Sequence, residues 1–597
     1  MGMNLIGLGC MRLSTEGDRD DARGLEVLHA ALAAGVTFFD TADAYCLDDS
    51  EVGHNERLVS GALSTWSGDR SRLVIATKGG LTRPNGQWVP DGRARHLRTS
   101  CERSLKALGV ECIDLYQLHA PDPRVPLSTS VRALAALKDE GLVARLGLCN
   151  VNVGQIEEAR HIADISAVQI ELSVRHDENV LNGVVQYCIT HDIQLIAYRP
   201  LGGARRVRQL RHEPVLREVA ESHGATPAEI ALAWLDTVSS HLLSIPGPTR
   251  VETVPSVVRA HSIHFSDEER QRLNARFLPG GSSAFAKATA DKAGSSSQPR
   301  DGEVVLIMGL PGAGKSTAAR EFVDEGYARL NRDDAGGSLQ GLLPELQRLV
   351  EEGQSRIVLD NTYMSRASRA RVVQAANAMG LRVRCVWVAT SVEDAQVNAV
   401  SRIIANHGRL LGPEEMKQTV KRDISAFAPS VQFRHQRELE PPDPAEGFSR
   451  IDVVPFERKQ VAEFTNRALI VWCDDSLVER GSILRRYRDE GWLLLGLAWC
   501  PQIADKTMTA EQVDAGFVSV QEQLGVSLEV LYCPHAAGPP KCWCRKPLPG
   551  LGIVFIQRHQ LDPSQCIYVG AGPQDPGFAR RLGFQYREAG EFFGVLR

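Results

Sequence analysis

The chain has 597 residues, too many for one hydrophobic core, so three or four folded units are expected. With 43% hydrophobic and 24% charged residues, its composition is that of a globular protein and excludes a disordered or fibrous one. A net charge of −5 excludes a global basic field, so any nucleic-acid contact has to come from a local patch or a strand end. No apolar run approaches a membrane span, and Met1-Gly-Met-Asn lacks a basic-then-apolar signal segment, so no membrane role is expected. The thirteen cysteines are scattered and odd in number, which predicts reduced thiols and a cytoplasmic location.

In residues 1–277, short β-branched runs alternate with helical patterns. The predicted strands are Leu5–Gly9, Thr37–Asp40, Leu73–Lys78, Ile113–His119, Ala144–Asn150, Ala167–Glu171, Gln194–Tyr198 and Leu243–Pro246. Eight strands separated mostly by helices predict a (β/α)₈ TIM barrel. Such barrels place chemistry at the carboxyl ends of strands, and Asp40, Lys78, His119, Asn150, Gln169 and Tyr198 all fall at or near those ends. A buried Asp–Lys pair and a barrel-mouth histidine are the plain alternatives for single residues, but not for all six in register.

Four motifs in this segment, Phe38-Phe-Asp-Thr-Ala-Asp-Ala-Tyr45, Ala76-Thr-Lys-Gly-Gly80, Leu115-Tyr-Gln-Leu-His119 and Ile245-Pro-Gly247, resemble the signatures of the aldo-keto reductases, in that family's order. The resemblance implies a catalytic tetrad of Asp40, Tyr45, Lys78 and His119. It also implies a nicotinamide cofactor, NADP(H), with Asn150 and Gln169 on its carboxamide and Tyr198 against its ring. Leu201, Gly202 and the segment after Ile245 would meet the cofactor's phosphates, with Arg250 for the additional phosphate of NADP. Two positions depart from the pattern: Cys149 stands where the family usually has serine, and Ser256-Val257 replaces an acidic-Asn pair.

Residues 278–302 are rich in Ala, Gly and Ser and poor in large apolar residues, which predicts a flexible linker. Beyond it, the apolar run Val304–Met308 delivers the chain into Gly309-x-x-x-x-Gly314-Lys315-Ser316, the pattern of a phosphate-cradling P-loop. Gly309, Gly312 and Gly314 let backbone N–H groups converge on phosphate oxygens. Lys315 supplies charge for ATP's outer phosphates, and Ser316, followed by Thr317, a hydroxyl for Mg²⁺. A helix is expected from about Ser316 to Asp324, its positive end at the same place.

Further strands ending in polar tips, at Leu330-Asn-Arg-Asp333 and Ile357-Val-Leu-Asp360-Asn-Thr362, predict an open, mostly parallel sheet over residues 303–460. These motifs, the Ser365-to-Val373 segment that follows, and the tail Ala445-Glu-Gly-Phe448-Ser-Arg-Ile451 resemble the kinase module of polynucleotide 5′-kinase/3′-phosphatases. The resemblance implies Asp333 as general base toward a 5′-hydroxyl, and Arg402 and Arg409 on a lid over ATP. A surface or capping carboxylate is the plain alternative for Asp333, as a solvated helix face is for Arg366, Arg369 and Arg371.

Residues 465–597 again alternate strands and helices. They contain Cys533-Pro-His535-x₆-Cys542-Trp-Cys544, three thiols and an imidazole suited to a closed, structural Zn²⁺ site. Free core cysteines are the plain alternative. The loop resembles haloacid-dehalogenase (HAD-like) phosphatases of the histidinol-phosphate and heptose-bisphosphate type, implying a Rossmannoid sheet. The family's catalytic positions are not met. Trp472 stands at the nucleophile, Ala498 at the threonine-type residue and Gly570-Ala571 at the late Gly-Asp, leaving Asp474 and Lys546. Tryptophan forms no phospho-enzyme, so an inactive domain is expected.

Taken together, an α/β multidomain chain is expected, with a reductase for a small carbonyl compound or a modified nucleic-acid end and a kinase for 5′-hydroxyl ends of RNA or DNA. Two alternatives stay open: a barrel that senses its cofactor without turnover, and a metabolic fusion whose kinase takes a small alcohol.

Overall fold

A computed structural model of the chain describes residues 6–278, 302–336, 338–458, 463–473, 477, 480–536, 538 and 541–594. Nearly all of the expected linker, 279–301, lies outside these residues, as do Asp474 and its two successors. The chain forms two compact units, Met1–Ser295 and Ser296–Arg597. No helix among the described residues is long and apolar enough to cross a membrane.

The first unit is built on eight strands in sequence order: β1 (Gly7–Gly9), β2 (Phe38–Asp40), β3 (Val74–Gly79), β4 (Leu115–Leu118), β5 (Leu146–Cys149), β6 (Ile165–Glu171), β7 (Gln194–Tyr198) and β8 (Leu242–Ile245). Each pairs in parallel with its neighbour. The ring meets at β1 and β8, where Gly9 N donates to Pro246 O at 3.0 Å. Glycine is required there, because a Cβ on Gly7 would stand 2.5 Å from Ser244 O.

The two-residue period of a strand sorts its side chains between inside and outside. Phe38, Ala76, Leu115, Ala167, Ile196 and Leu243 pack together inside the ring. Phe39 and Ile75 point the other way, onto helices Asp21–Ala33 and His54–Ser64. The inner set continued by two residues reaches Asp40, Lys78, Gln117, Gln169 and Tyr198, so strand parity alone carries these polar groups to one mouth.

The second unit holds two five-stranded parallel sheets. The first consists of β9 (Glu303–Met308), β10 (Ala328–Leu330), β11 (Arg356–Asp360), β12 (Arg382–Val388) and β13 (Arg450–Val454), ordered β10-β11-β9-β12-β13. The other consists of β14 (Ala468–Trp472), β15 (Leu493–Trp499), β16 (Glu529–Cys533), β17 (Ile567–Gly570) and β18 (Gln585–Glu588), ordered β16-β15-β14-β17-β18. β18 lies outside the expected strands, because Gln585–Glu588 is too polar a run to announce one.

The two sheets share a core. Val400, Ile403, Met416 and Phe427 from the first half pack in one cluster with Trp543, Ile553, Phe555 and Phe578 from the second. Buried Arg581 adds a hydrogen bond from Nε to Gln396 Oε1 at 2.8 Å.

Candidate functional site

At the barrel mouth, Lys78 Nζ donates to both Asp40 carboxylate oxygens at 2.7 Å, to Thr41 O at 2.9 Å and to the Tyr45 hydroxyl at 3.1 Å. Asp40, Lys78, Tyr45 and His119 are all buried. Burial pushes the Tyr45 phenol well above its ordinary pKa, and the Lys78 charge pulls against it. Burial opposes the charge on Lys78, but Asp40 and then Tyr45 outweigh it and raise the ammonium's pKa. Burial, then Lys78, holds His119 well below the usual imidazole range, so the ring is neutral. Its Nδ1 is buried without a partner, and its ring meets Tyr45 edge-on at 5.4 Å between centroids.

The remaining polar residues form a second tier. Gln169 Nε2 donates to Asp40 Oδ1 at 3.1 Å, while Gln169 Oε1 accepts from Gln117 Nε2 at 3.2 Å and from the Cys149 thiol at 3.3 Å. Asn150, at φ 58°, donates from Nδ2 to His119 O and accepts from the Tyr198 hydroxyl at 2.8 Å. Asp40, His119, Cys149, Asn150, Gln169 and Tyr198 line a cleft of about 750 Å³ with Leu201, Gly247 and Arg250. Gly202, at φ 77°, turns the chain beside Leu201. Ser256 bonds Glu229, whose carboxylate also holds Arg259, so the departure at Ser256 is built into the helix packing.

In the second unit the loop from Gly309 to Gly314 leaves β9 and enters helix Lys315–Asp324. Gly309, Gly312 and Gly314 have φ of 152°, 87° and 98°, a region that side chains resist. A Cβ on Gly312 would stand 2.4 Å from Ala395 O. Three side chains hold the loop's carbonyls: Thr390 on Ala313 O, Asn398 on Gly312 O and Gln432 on Pro311 O. Lys315 Nζ folds onto Gly309 O and Leu310 O at 3.0 and 2.9 Å, and burial pushes its pKa down to about 8. Ser316 and Thr317 are exposed at the helix start.

Beside the loop, Asp360 is buried and paired with Arg329 at 2.7 Å, and Asn331 Nδ2 donates to Asp360 O. Asn331 also caps the short helix Arg332–Ala335 through Asp333 N. This cap lifts Asp333 to the surface, with Arg332 at 3.0 Å as its neighbour. Lys315 feels the charges of Asp360, Arg402 and Asp333, and Arg402 those of Asp423 and Asp333, so these groups lie within electrostatic reach of one another. Arg409 instead pairs with Glu415 at the surface.

Of the three arginines expected on one helix, Arg369 is fully buried and forked onto Glu446 at 2.7 and 2.8 Å. The helix segment and the Ala445 tail, noticed separately in the sequence, are the two halves of one ion pair.

In the last sheet the ligand atoms of Cys533, His535, Cys542 and Cys544 all lie within 4.8 Å of one another. The sulfur–sulfur separations of 3.3 and 3.8 Å are close to the edges of a tetrahedron with metal–sulfur bonds of about 2.3 Å. Trp543, between two of these cysteines, is fully buried and donates from Nε1 to Phe427 O at 2.9 Å. Nearby, Lys546 Nζ stands 3.2 Å above the Trp472 ring and pairs with Asp575, which also accepts from Tyr568 and from Gly572 N.

Residues 5–276 match the model of the aldo/keto reductase family, and residues 304–409 that of an AAA domain. An uncharacterized oxidoreductase of Schizosaccharomyces pombe is 35% identical over 282 residues, spanning 46% of this chain and 87% of that protein. The chain belongs to the aldo/keto reductase family. Its reductase unit is also similar to two solved structures. One is an aldose reductase from Schistosoma japonicum, at 25% identity and TM-score 0.38 over 47% of this chain and 90% of that one. The other is an aldo/keto reductase from Klebsiella pneumoniae in complex with NADP and acetate, at 26% and 0.40 over 46% and 91%.

In this aldo/keto reductase the structure brings together Asp40, Tyr45, Lys78 and His119, with Asn150, Gln169 and Tyr198 as a second tier. Gln117 stands inside the Leu115–His119 motif without an expected role, and Thr390, Asn398 and Gln432 bear no motif; all four act through distant backbone or amide groups. Asp575 likewise carries no expectation, although its place after β17, next to the Gly570 turn, is a usable signal.

Proposed function

We propose that the reductase unit reduces a carbonyl compound with NADP(H) and that the second unit transfers the γ-phosphate of ATP to 5′-hydroxyl ends of RNA or DNA. For the barrel, the observation that carries this is Lys78 Nζ within hydrogen-bond reach of both Asp40 and the Tyr45 hydroxyl. When bound, the cofactor supplies hydride. Tyr45 gives its proton to the oxygen of the carbonyl, and Lys78, anchored by Asp40, stabilises the phenolate left behind. His119, neutral and with Nδ1 unpartnered, orients that oxygen. Asn150 and Gln169 would hold the nicotinamide's carboxamide, Tyr198 its ring, and Leu201, Gly202 and Arg250 its phosphates. The cleft lined by Asn150, Gln169, Tyr198, Leu201 and Arg250 supports this fit.

For the kinase, the supporting observation is Asp333 lifted to the surface beside the Gly309–Lys315 loop. ATP would lie on the loop's N–H groups, with Lys315 released from its own carbonyls, Arg402 on the phosphates and Mg²⁺ on Ser316. Asp333 accepts the proton of the 5′-hydroxyl and holds it in line, which suits a loose transition state that needs positioning above all. The last sheet is a HAD-like fold with a structural Zn²⁺ on Cys533, His535, Cys542 and Cys544 and no phosphatase activity. Trp472, at the nucleophile's expected position, has no nucleophilic atom, and Lys546 rests on its ring.

Labelled ATP with 5′-hydroxyl oligonucleotides tests the kinase, and NADPH oxidation with aldehydes tests the reductase. Normal ATP binding with no transfer to any RNA or DNA end would sink the polynucleotide assignment.

A further inference from the structure

A two-stranded hairpin, Leu81–Thr82 with Val89–Pro90, follows β3 at the barrel mouth. The next cross-strand pair inward to its turn is Arg83 and Trp88, and the guanidinium lies 3.9 Å from the indole centre. Arg83 is 6% exposed and lines the same cleft as Tyr45 and His119. Its Nε and Nη2 donate to the carbonyls of Cys46 and Leu47, both at 3.2 Å. Its Nη1 is buried and has no partner. The nearby Asp49, exposed, accepts the Arg83 backbone N–H on Oδ1 at 2.6 Å, and no carboxylate among the described residues forms an ion pair with the guanidinium.

A buried cation without a carboxylate is costly, and such groups are normally paired. Among the described residues the other two buried arginines each face an acid, Arg369 with Glu446 at 2.7 Å and Arg581 with Glu393 at 3.7 Å. Arg83 has two neutral carbonyls and one empty donor, inside the cleft where a substrate binds. Trp88 is 44% exposed and stands edge-on to Tyr45 and His119 at 6.2 and 6.1 Å, so it separates the guanidinium from the reacting pair and covers its face.

We propose that Arg83 receives an anionic group, a carboxylate or a phosphate, carried by the carbonyl substrate at the end remote from its reacting carbon, with Trp88 turning aside to admit it. The proposal rests on the reductase reading above and deepens it by naming the substrate class. A charge-assisted, forked contact to guanidinium strengthens binding of that end and leaves Tyr45 and His119 to act on the carbonyl.

The test compares benzaldehyde with 4-carboxybenzaldehyde as substrates of the full chain, following NADPH oxidation. Wild type is expected to favour the carboxylate about 10- to 100-fold in kcat/KM, mostly through KM, as one charged hydrogen-bonded contact predicts. Arg83→Met should collapse that ratio toward one, and Arg83→Lys should restore part of it. Equal kcat/KM for the two aldehydes in wild type, with turnover abolished by Tyr45→Phe, overturns the proposal and leaves the reductase standing. A preference undiminished in Arg83→Met overturns it equally. No oxidation with either aldehyde removes the reductase reading and the proposal together. Should the methionine variant fail to fold, the wild-type ratio and Arg83→Lys still decide.

Discussion

Lys78 Nζ stands 3.1 Å from the Tyr45 hydroxyl while its other hydrogens go to Asp40 and to Thr41 O. The lysine is therefore fixed on one side by a buried carboxylate and presents its charge to the phenol on the other. Tyr45→Phe removes the proton and leaves the cavity's shape. Carbonyl reduction should fall about 10²- to 10⁴-fold with cofactor affinity retained. NADPH fluorescence titration beside the activity assay separates the two. Undiminished turnover would remove Tyr45 from its role.

Behind the tetrad lie two buried acids that the chemistry does not use. Burial pushes Asp43 up to about 6 and Glu56, also facing Asp43, up to about 7. Asp43 Oδ1 and Glu56 Oε2 have no partner. With folded values above unfolded ones, their stabilising effect is full below about pH 4 and is lost as pH rises through 6 to 7. Glu56→Gln, which keeps an oxygen for Thr77, should make the reductase unit more resistant to heat than wild type above pH 7, by an effect on the order of 2 kcal/mol, and much less so at pH 5. Scanning calorimetry at both values checks this, with the reductase transition identified by its response to NADPH.

In the free protein Lys315 holds its proton only to about pH 8. ATP affinity should therefore fall as pH rises from 7 to 9. Lys315→Arg, which keeps its charge throughout, should flatten that dependence even where it weakens binding. Isothermal titration at three pH values reads both. Asp333→Asn should instead spare ATP affinity and abolish transfer.

The Arg369–Glu446 fork is wholly buried. Glu446→Ala leaves the guanidinium unpaired and should cost about 3–5 kcal/mol in the P-loop unit. The unfolding transition that ATP shifts is the one to follow. A cost under 1 kcal/mol would mean that water or a neighbouring carbonyl replaces the carboxylate.

The chain as isolated should carry one zinc per molecule, bound by Cys533, His535, Cys542 and Cys544. Its removal by a chelator should free Trp543 from Phe427 O and shift indole emission to the red, a shift absent in Trp543→Phe. A metal-free protein with unchanged emission on chelation would refute the site.

What could be read in the sequence was what strand parity and glycine spacing dictate. Asp40, Lys78, Gln169 and Tyr198 follow from a two-residue period carried to a strand's end, and the phosphate loop from three glycines and a lysine. What could not be read depends on partners far along the chain. Gln432 reaches Pro311, Arg369 finds Glu446 and Trp543 meets Phe427 across more than seventy residues each, and a single sequence has no period for such pairs. Arg83 was invisible for a related reason: its significance lies in a carboxylate it does not have.

Trp543 also bears on how this chain can change. Its indole and the helices Gly550–His559 and Asp575–Leu582 cover Ile403, Met416 and Phe427. A chain ending before Ala468 would expose those residues as one apolar face, the kind of surface that aggregates. The final sheet is thus a mechanical part of the second unit: its removal would strip the cover from the P-loop half's core.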